Sequence, residues 1–279
     1  MKNLKIGSKI FNWGERTYIM GILNVTPDSF SDGGQFNAPN LALEQGLKLA
    51  DQGADIIDIG GQSTRPGAQE ISLEEELARV IPVITALRPR VSIPLSVDTT
   101  RPQVAEEAIL AGADLVNDVS GGTFSEAMFP TVAKFQVPLV LMHRRGTPET
   151  MQQLTDYTDL IGEINGFFRQ QIEKATQAGL GRSQLLLDPG IGFAKTTPQN
   201  LELIRQIPEF RRLDLPILVG VSRKSFIGKI LEQNDPQQRQ WGTAAACCGA
   251  IAGFADILRV HDVAPMRDVC RVADAIWRG

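Results

Sequence analysis

A residue capable of polar chemistry closes, or directly follows, almost every one of eight short apolar runs in this chain. In order these are Asn24, Asp58, Asp98, Asn117, His143, Asp188, the trio Ser222, Arg223 and Lys224, and then Arg259 with His261. Any one of them reads as a strand terminator or turn former, because Asp and Asn side chains bond readily to nearby backbone. Recurring at successive runs, they read instead as one polar rim. Its carboxylates and amides suit a polar ligand, Lys224, Arg259 and His261 add local positive charge, and a lysine at a strand end is also a candidate Schiff-base nucleophile. The segments beyond the first two runs are long and rich in glycine: Asn-Val-Thr-Pro-Asp-Ser-Phe-Ser-Asp-Gly-Gly at 24–34 and Gly-Gly-Gln-Ser-Thr-Arg-Pro-Gly-Ala at 60–68. Such loops are either ordinary surface or lids that order over an anion.

A rim needs strands to carry it. The runs fall at 18–24, 56–60, 95–98, 115–117, 139–142, 185–188, 217–221 and 257–260. Each is short, nearly all apolar and without alternation, as a strand covered on both faces should be. Helical periodicity fills the gaps. Leu73, Leu77, Val80, Ile81, Ile84 and Leu87 share one face, and Ser72 followed by Glu75 has capping-box spacing. Pro82 inside that stretch predicts a kink or a late start. The longest helical pattern, 158–178, places Leu160, Ile161, Ile164, Phe167, Phe168 and Ile172 inward and stops at Gly179. Three helix-to-strand joints repeat: Gly53-Ala54-Asp55, Gly112-Ala113-Asp114 and Gly253-Phe254-Ala255-Asp256. Eight right-handed βα units close into an α/β fold of the (β/α)8 TIM-barrel type. The sequence has neither a GxGxxG nor a GxxxxGK[ST] fingerprint for an open nucleotide-binding sheet. The expected organisation is a single barrel over 18–279 preceded by a short extension, 1–17, that forms a hairpin across the barrel floor.

Composition narrows the function. With 279 residues, 43% hydrophobic and 22% charged, the chain is globular rather than disordered. No apolar run approaches the ~20 residues of a membrane span. A net charge of −4 argues against nucleic acid or an anionic surface as partner, so an anionic substrate must be caught locally. Cys247, Cys248 and Cys270 lack disulfide or zinc spacing and read as core residues. The N-terminus lacks the pattern of a signal peptide, which predicts a cytoplasmic protein.

The segments MGILNVTPDSFSDGG, IIDIGGQSTRPGA, LSVDT, NDVSGG, LMHRRGTPETMQ, LLLDPGIGFAKT, VGVSRKSFIG and ILRVHDV occur in this order. Over 18–263 the chain thereby resembles the dihydropteroate synthases of the pterin-binding barrel family. The resemblance implies condensation of a dihydropterin-methyl pyrophosphate with p-aminobenzoate, with loss of pyrophosphate in an SN1-like course. It implies that Asp188, Asp98, Asn117 and Lys224 read the pterin, supported by Asp58 and lined by Met142. Asn24, Thr64, Arg65, Arg259 and His261 are the implied pyrophosphate partners. Phe193, Pro66, Ser225 and Lys224 would form the aminobenzoate slot. Lys224, Arg259, His261 and Asp98 are the implied catalytic set. Mg2+ is the implied cofactor, with Asn24 its expected protein contact. The partners are small molecules, and competition by sulfonamides follows from the family. Loops 28–34 and 62–68 are the implied lid. A homodimer through late helices is also implied, for which the apolar stretch 244–254 is a candidate, although packing on the barrel explains most of it.

Three departures from the family pattern stand out: Gln62 in place of the commoner Glu, Arg144 where Met is frequent, and Ile-Gly-Phe-Ala at 191–194 where many members carry Phe-Gly-Phe-Gly. The competing readings are a pterin-dependent methyltransferase of the same superfamily, a Schiff-base aldolase at Lys224, and a non-catalytic pterin-binding protein. The first has no pyrophosphate for the 222–225 stretch and loops to hold, and the last would have lost anion or metal residues, none of which is missing.

Overall fold

Strands buried on both faces need helices on one side and packed side chains on the other, and the chain supplies them alternately. The computed structural model describes residues 3–26, 38–63 and 67–279. Two short strands, β1 (Leu4–Ile6) and β2 (Lys9–Phe11), come first and pair antiparallel. The alternation then runs β3 (Tyr18–Asn24), α1 (Ala38–Asp51), β4 (Ile56–Gly60), α2 (Leu73–Leu87), β5 (Leu95–Asp98), α3 (Pro102–Leu110), β6 (Leu115–Asp118), α4 (Met128–Phe135) and β7 (Leu139–Met142). It continues with α5 (Leu160–Gln177), β8 (Leu185–Asp188), α6 (Thr197–Arg205), α7 (Ile207–Arg211), β9 (Leu218–Val219), α8 (Ser225–Leu231), α9 (Gln240–Ala252), β10 (Ile257–Val260) and α10 (Val263–Trp277).

Strands β3 to β10 form one parallel sheet of eight, in the order β8-β7-β6-β5-β4-β3-β10-β9. A parallel bridge between Leu187 and Ile217 brings its two edges together, so the sheet is a (β/α)8 barrel. Six strands have the expected bounds. β6 runs one residue further, to Asp118, and β9 is only Leu218–Val219 rather than 217–221, because beyond Gly220 the chain turns out of the sheet to form the segment 222–224.

Side-chain direction alternates along each strand, so one set of residues fills the barrel and the other meets the helices. Met20, Ile56, Leu115, Val140, Leu186, Leu218 and Ile257 form the inner cluster, and Leu4, Ile6, Phe11 and Tyr18 join it from below. The hairpin therefore plugs the barrel floor. Ile57, Ile59, Val97, Val116, Leu141, Leu187, Val219 and Leu258 belong to the larger cluster under the helices.

The helix ends follow their capping chemistry. Ser72 Oγ accepts from the Glu75 amide and fixes the start of α2 at Leu73, which overturns a late start; the helix continues through Pro82. Asp159 accepts from the Gly162 amide and starts α5 at Leu160, within the expected 158–178. On α9, Ala244, Cys247, Ala250 and Ile251 are buried, so much of the stretch 244–254 is packed inside this chain. Among the described residues, no helix is long and apolar enough to cross a membrane.

Candidate active site

Two residues beyond each inner apolar side chain, the same face of the strand reaches the barrel mouth. Ile56 is thus followed by Asp58, Leu115 by Asn117, Val140 by Met142, Leu186 by Asp188 and Ile257 by Arg259. The parallel register sets these side by side, Asp98 opposite Asn117 and Met142 opposite Asp188. Asn117, Val119, Met142, Asp188, Ile191, Phe193, Gly220, Lys224 and Arg259 line a single cleft.

Charge inside the cleft is tightly organised. Arg259 donates from Nε to Asp58 Oδ2 at 2.6 Å and from Nη2 to Asp98 Oδ2 at 2.6 Å. Asn117 Nδ2 donates to the same Asp58 oxygen at 3.0 Å. Asp58 is fully buried, so it holds Arg259 and Asn117 in place from beneath. Among the described residues the remaining oxygens, Oδ1 of Asp58 and of Asp98, have no hydrogen-bond partner. A buried carboxylate oxygen in that state wants a donor. Burial pushes the Asp98 carboxyl up to about 7 in spite of the Arg259 charge, and nearby Asp58 adds to the rise. Burial alone would lower the pKa of Arg259, but Asp58 and Asp98 outweigh it and raise it. Burial likewise raises Asp188, opposed by the Gly190 amide, which donates to Oδ1 at 2.7 Å, and by the charges of Lys224, Arg259 and Lys195.

The wall opposite is built by two turns. Lys224 Nζ lies 4.2 Å from the centroid of the Phe193 ring, a cation–π distance. Gly192 makes this approach possible: its φ is +88°, and a Cβ there would stand 2.9 Å from Lys224 Cδ. Arg223, also at positive φ, forms a two-pronged ion pair with Asp262 at 3.0 and 2.6 Å and so ties the 222–224 turn to the end of β10. His261 belongs to the same join, with Nδ1 3.0 Å from Ser222 Oγ.

Of the residues expected at the site, Asn117, Met142, Asp188, Phe193, Lys224 and Arg259 meet in the cleft, with Asp58 and Asp98 behind Arg259. Asn24 is half-buried at the end of β3, in register with Gly60. Ser225 is exposed on the first turn of α8 and lines a separate hollow with Gly228 and Arg239. Thr64, Arg65, Pro66 and the 28–34 loop lie outside the described residues. Among the described residues, no three His, Cys, Asp or Glu side chains gather as a metal cage. A hard dication bound through a diphosphate takes most of its oxygens from phosphate and water, so one amide oxygen at the rim fits that donor set.

Two buried basic residues carry no expectation from the sequence beyond a place in the motifs. Lys195 is buried beside His143. Arg144 lies 4.9 Å from the Phe124 ring and 5.9 Å from that of Phe193, with Nε donating to Gly146 O. Only their burial, 4% and 6% exposed, marks these two as anything other than solvated loop cations.

Known proteins resemble this chain over most of its length. Residues 20–261 match the family described as pterin binding enzyme. The dihydropteroate synthase of Synechocystis sp. is 59% identical over 275 residues, covering 99% of this chain and 95% of its own length. The structure of the Xanthomonas albilineans dihydropteroate synthase with 4-aminobenzoic acid is 43% identical, with a TM-score of 0.92 over 98% of this chain and 97% of that one. The same enzyme in complex with 7,8-dihydropteroate superposes at a TM-score of 0.89, with 40% identity, over 99% and 98% of the two chains. Matched over most of its length and built around the same barrel, the chain belongs to the pterin binding enzyme family, alongside the dihydropteroate synthases.

Proposed function

We propose that the cleft joins (7,8-dihydropterin-6-yl)methyl diphosphate to p-aminobenzoate, giving 7,8-dihydropteroate and pyrophosphate, as a dihydropteroate synthase. The observation that carries the assignment of roles is the convergence of Asp188, Asn117, Lys224, Arg259 and Phe193 on one cleft. A pterin presents an amino group and a ring N–H on one edge, which a buried carboxylate accepts side by side. Asp188 is that acceptor, and the unpartnered Asp98 Oδ1 and the Asn117 amide meet the rest of the ring. Lys224 donates to ring acceptors, and Met142 packs on the ring.

Arg259 faces the diphosphate while its other donors rest on Asp58 and Asp98, so its charge is fixed in place before substrate arrives. His261, Asn24, Thr64 and Arg65 complete the anion site. Asn24 would hold Mg2+, which would supply neutralisation of the diphosphate charge. The C–O bond to the exocyclic carbon breaks first, leaving a cation that the electron-rich dihydropterin stabilises. The arylamine nitrogen then forms the C–N bond and loses its proton. Phe193, with Lys224 against it, Pro66 and Ser225 form the slot that aims the amine.

Residues 18–279 act as one catalytic unit with 1–17 as its floor cap, in a cytoplasmic homodimer. The exposed apolar side chains Trp241, Val272, Ile276 and Trp277 on the late helices are what such an interface would cover; sedimentation of the purified chain tests it. The activity is tested by incubating purified protein with Mg2+, the pterin diphosphate and p-aminobenzoate. Stoichiometric pyrophosphate and dihydropteroate are expected, and a folded sample that binds the pterin yet never turns over would sink the reading.

A further inference from the structure

Lys195 lies in the loop after β8 with a side chain only 4% exposed. An ammonium has three donors, and Lys195 has three acceptors around it: Phe193 O at 2.8 Å, Gly190 O at 3.0 Å and His143 Nδ1 at 3.2 Å. None is a carboxylate. Burying a cation among neutral acceptors is costly, and burial pushes this amine down to about 7, with Asp188 opposing the shift and Lys224 and Arg145 adding to it. His143, pushed down to about 2 by burial and by Lys195, is neutral and accepts the third hydrogen bond.

The turn wrapped around this ammonium is the one that faces the cleft. The Gly190 amide donates to Asp188 Oδ1, the Phe193 amide donates to Gly190 O at 3.1 Å, and the His143 amide donates to Asp188 O at 2.9 Å. Gly190 sits at φ +72°, where a Cβ would stand 1.9 Å from His143 O, so the turn is pressed against the end of β7. Its first residue presents a carboxylate to the cleft and its last presents a ring. Lys195 Nζ, bonded to the carbonyls of residues 190 and 193, is the group that closes the turn from inside.

We propose that Lys195 is a positioning residue that locks the 188–193 turn, holding the Asp188 carboxylate and the Phe193 ring in one fixed relation. Pterin reading and the placing of the arylamine thus share a single internal clamp. The inference rests on the roles given above to Asp188 and Phe193.

Replacement by an isosteric apolar chain tests it. In K195M, pterin diphosphate affinity measured by calorimetry without aminobenzoate is expected to fall about 30-fold, and KM for aminobenzoate to rise by a similar factor. kcat at saturation is expected to stay within about threefold, because Lys195 is not among the residues that line the cleft. Hydrogen exchange should quicken at the Gly190 and Gly192 amides while the rest of the barrel keeps its protection. H143Q, which keeps the ammonium and both carbonyls, should move both substrates the same way by about fivefold, and it carries the test if K195M does not fold. Unchanged binding in either folded variant, loss for one substrate alone, or a loss confined to kcat overturns the clamp. D188N separates the two levels: if it binds the pterin normally the functional reading fails, whereas weak binding in D188N beside normal binding in K195M refutes only the clamp.

Discussion

The two ends of this barrel use the same residue types for opposite purposes. At the floor, Asp55, Asp114 and Asp256 stand just before β4, β6 and β10, and each accepts the backbone N–H of another strand or its approach. Asp55 bonds Ile19 N at 2.9 Å, Asp114 bonds Leu95 N at 3.0 Å and Asp256 bonds Ile217 N at 2.9 Å. Each also pairs with an arginine, Arg16, Arg88 or Arg211. These are the three aspartates of the repeated Gly-Ala-Asp and Gly-Phe-Ala-Asp joints, so the repeat marks a strand-aligning device. At the mouth, Asp58 and Asp98 hold side chains instead; among the described residues Oδ1 of each has no partner, which is true of Asp256 Oδ1 at the floor as well. Floor carboxylates fix the backbone, while mouth carboxylates fix a charged side chain that lines the cleft. This is the division expected of a barrel whose chemistry sits at the C-terminal ends of its strands.

Arg259 is where that division should blur most. R259M removes the cation from the anion site and from two buried carboxylates together, so kcat/KM is expected to fall about 1,000-fold and unfolding free energy by roughly 3 kcal/mol. Steady-state kinetics and urea melts read the two losses. Pterin lacking its diphosphate should lose much less affinity than the diphosphate, and equal losses would contradict the assigned role. D188N should separate the two ends cleanly, with pterin affinity down about 100-fold and unfolding close to wild type. Calorimetry beside thermal melts checks it.

The pH response of Asp98 gives an effect of about tenfold. Its folded value of about 7 lies above the ordinary 3.8. Between those two pH values the folded chain holds a proton that the unfolded chain has released, so this group's contribution to stability declines as pH rises through that window. Ionisation also turns Asp98 fully into an acceptor, so its titration should add an ascending limb to kcat/KM for the pterin diphosphate near pH 7, in the range where Lys195 also loses its proton. D98N should flatten that limb; a limb that persists in D98N assigns it elsewhere. At the floor the expectation reverses. D256N should cost about 1–3 kcal/mol in urea unfolding and leave kcat within about twofold. Smallest of all, R16A breaks the half-exposed pair with Asp55 and should cost below about 1 kcal/mol, a shift sought in melting temperature.

Much of this architecture is legible without coordinates. The apolar runs locate eight strands and leave Asn24, Asp58, Asp98, Asn117, Asp188 and Arg259 at their C-terminal ends. Strand length is set by local hydrophobicity and by the turn chemistry that follows, both of which are written in neighbouring residues. β9 was less legible, since its continuation toward Val221 is as apolar as a strand and only the geometry of the 222–224 turn withdraws it from the sheet.

What tertiary structure alone decided is which side of each strand faces inward and which charges meet. In Ile56-Ile57-Asp58-Ile59 both faces are buried, one inside the barrel and one beneath helices, so burial leaves no alternation to read. The ion pairs of Arg259 span 201 and 161 residues, a separation at which no local pattern signals a partner. Lys195, too, looks in sequence like any loop lysine with its charge in water. The 190 and 193 carbonyls lie within five residues of it, but only the closed barrel brings His143, 52 residues away, to complete the enclosure.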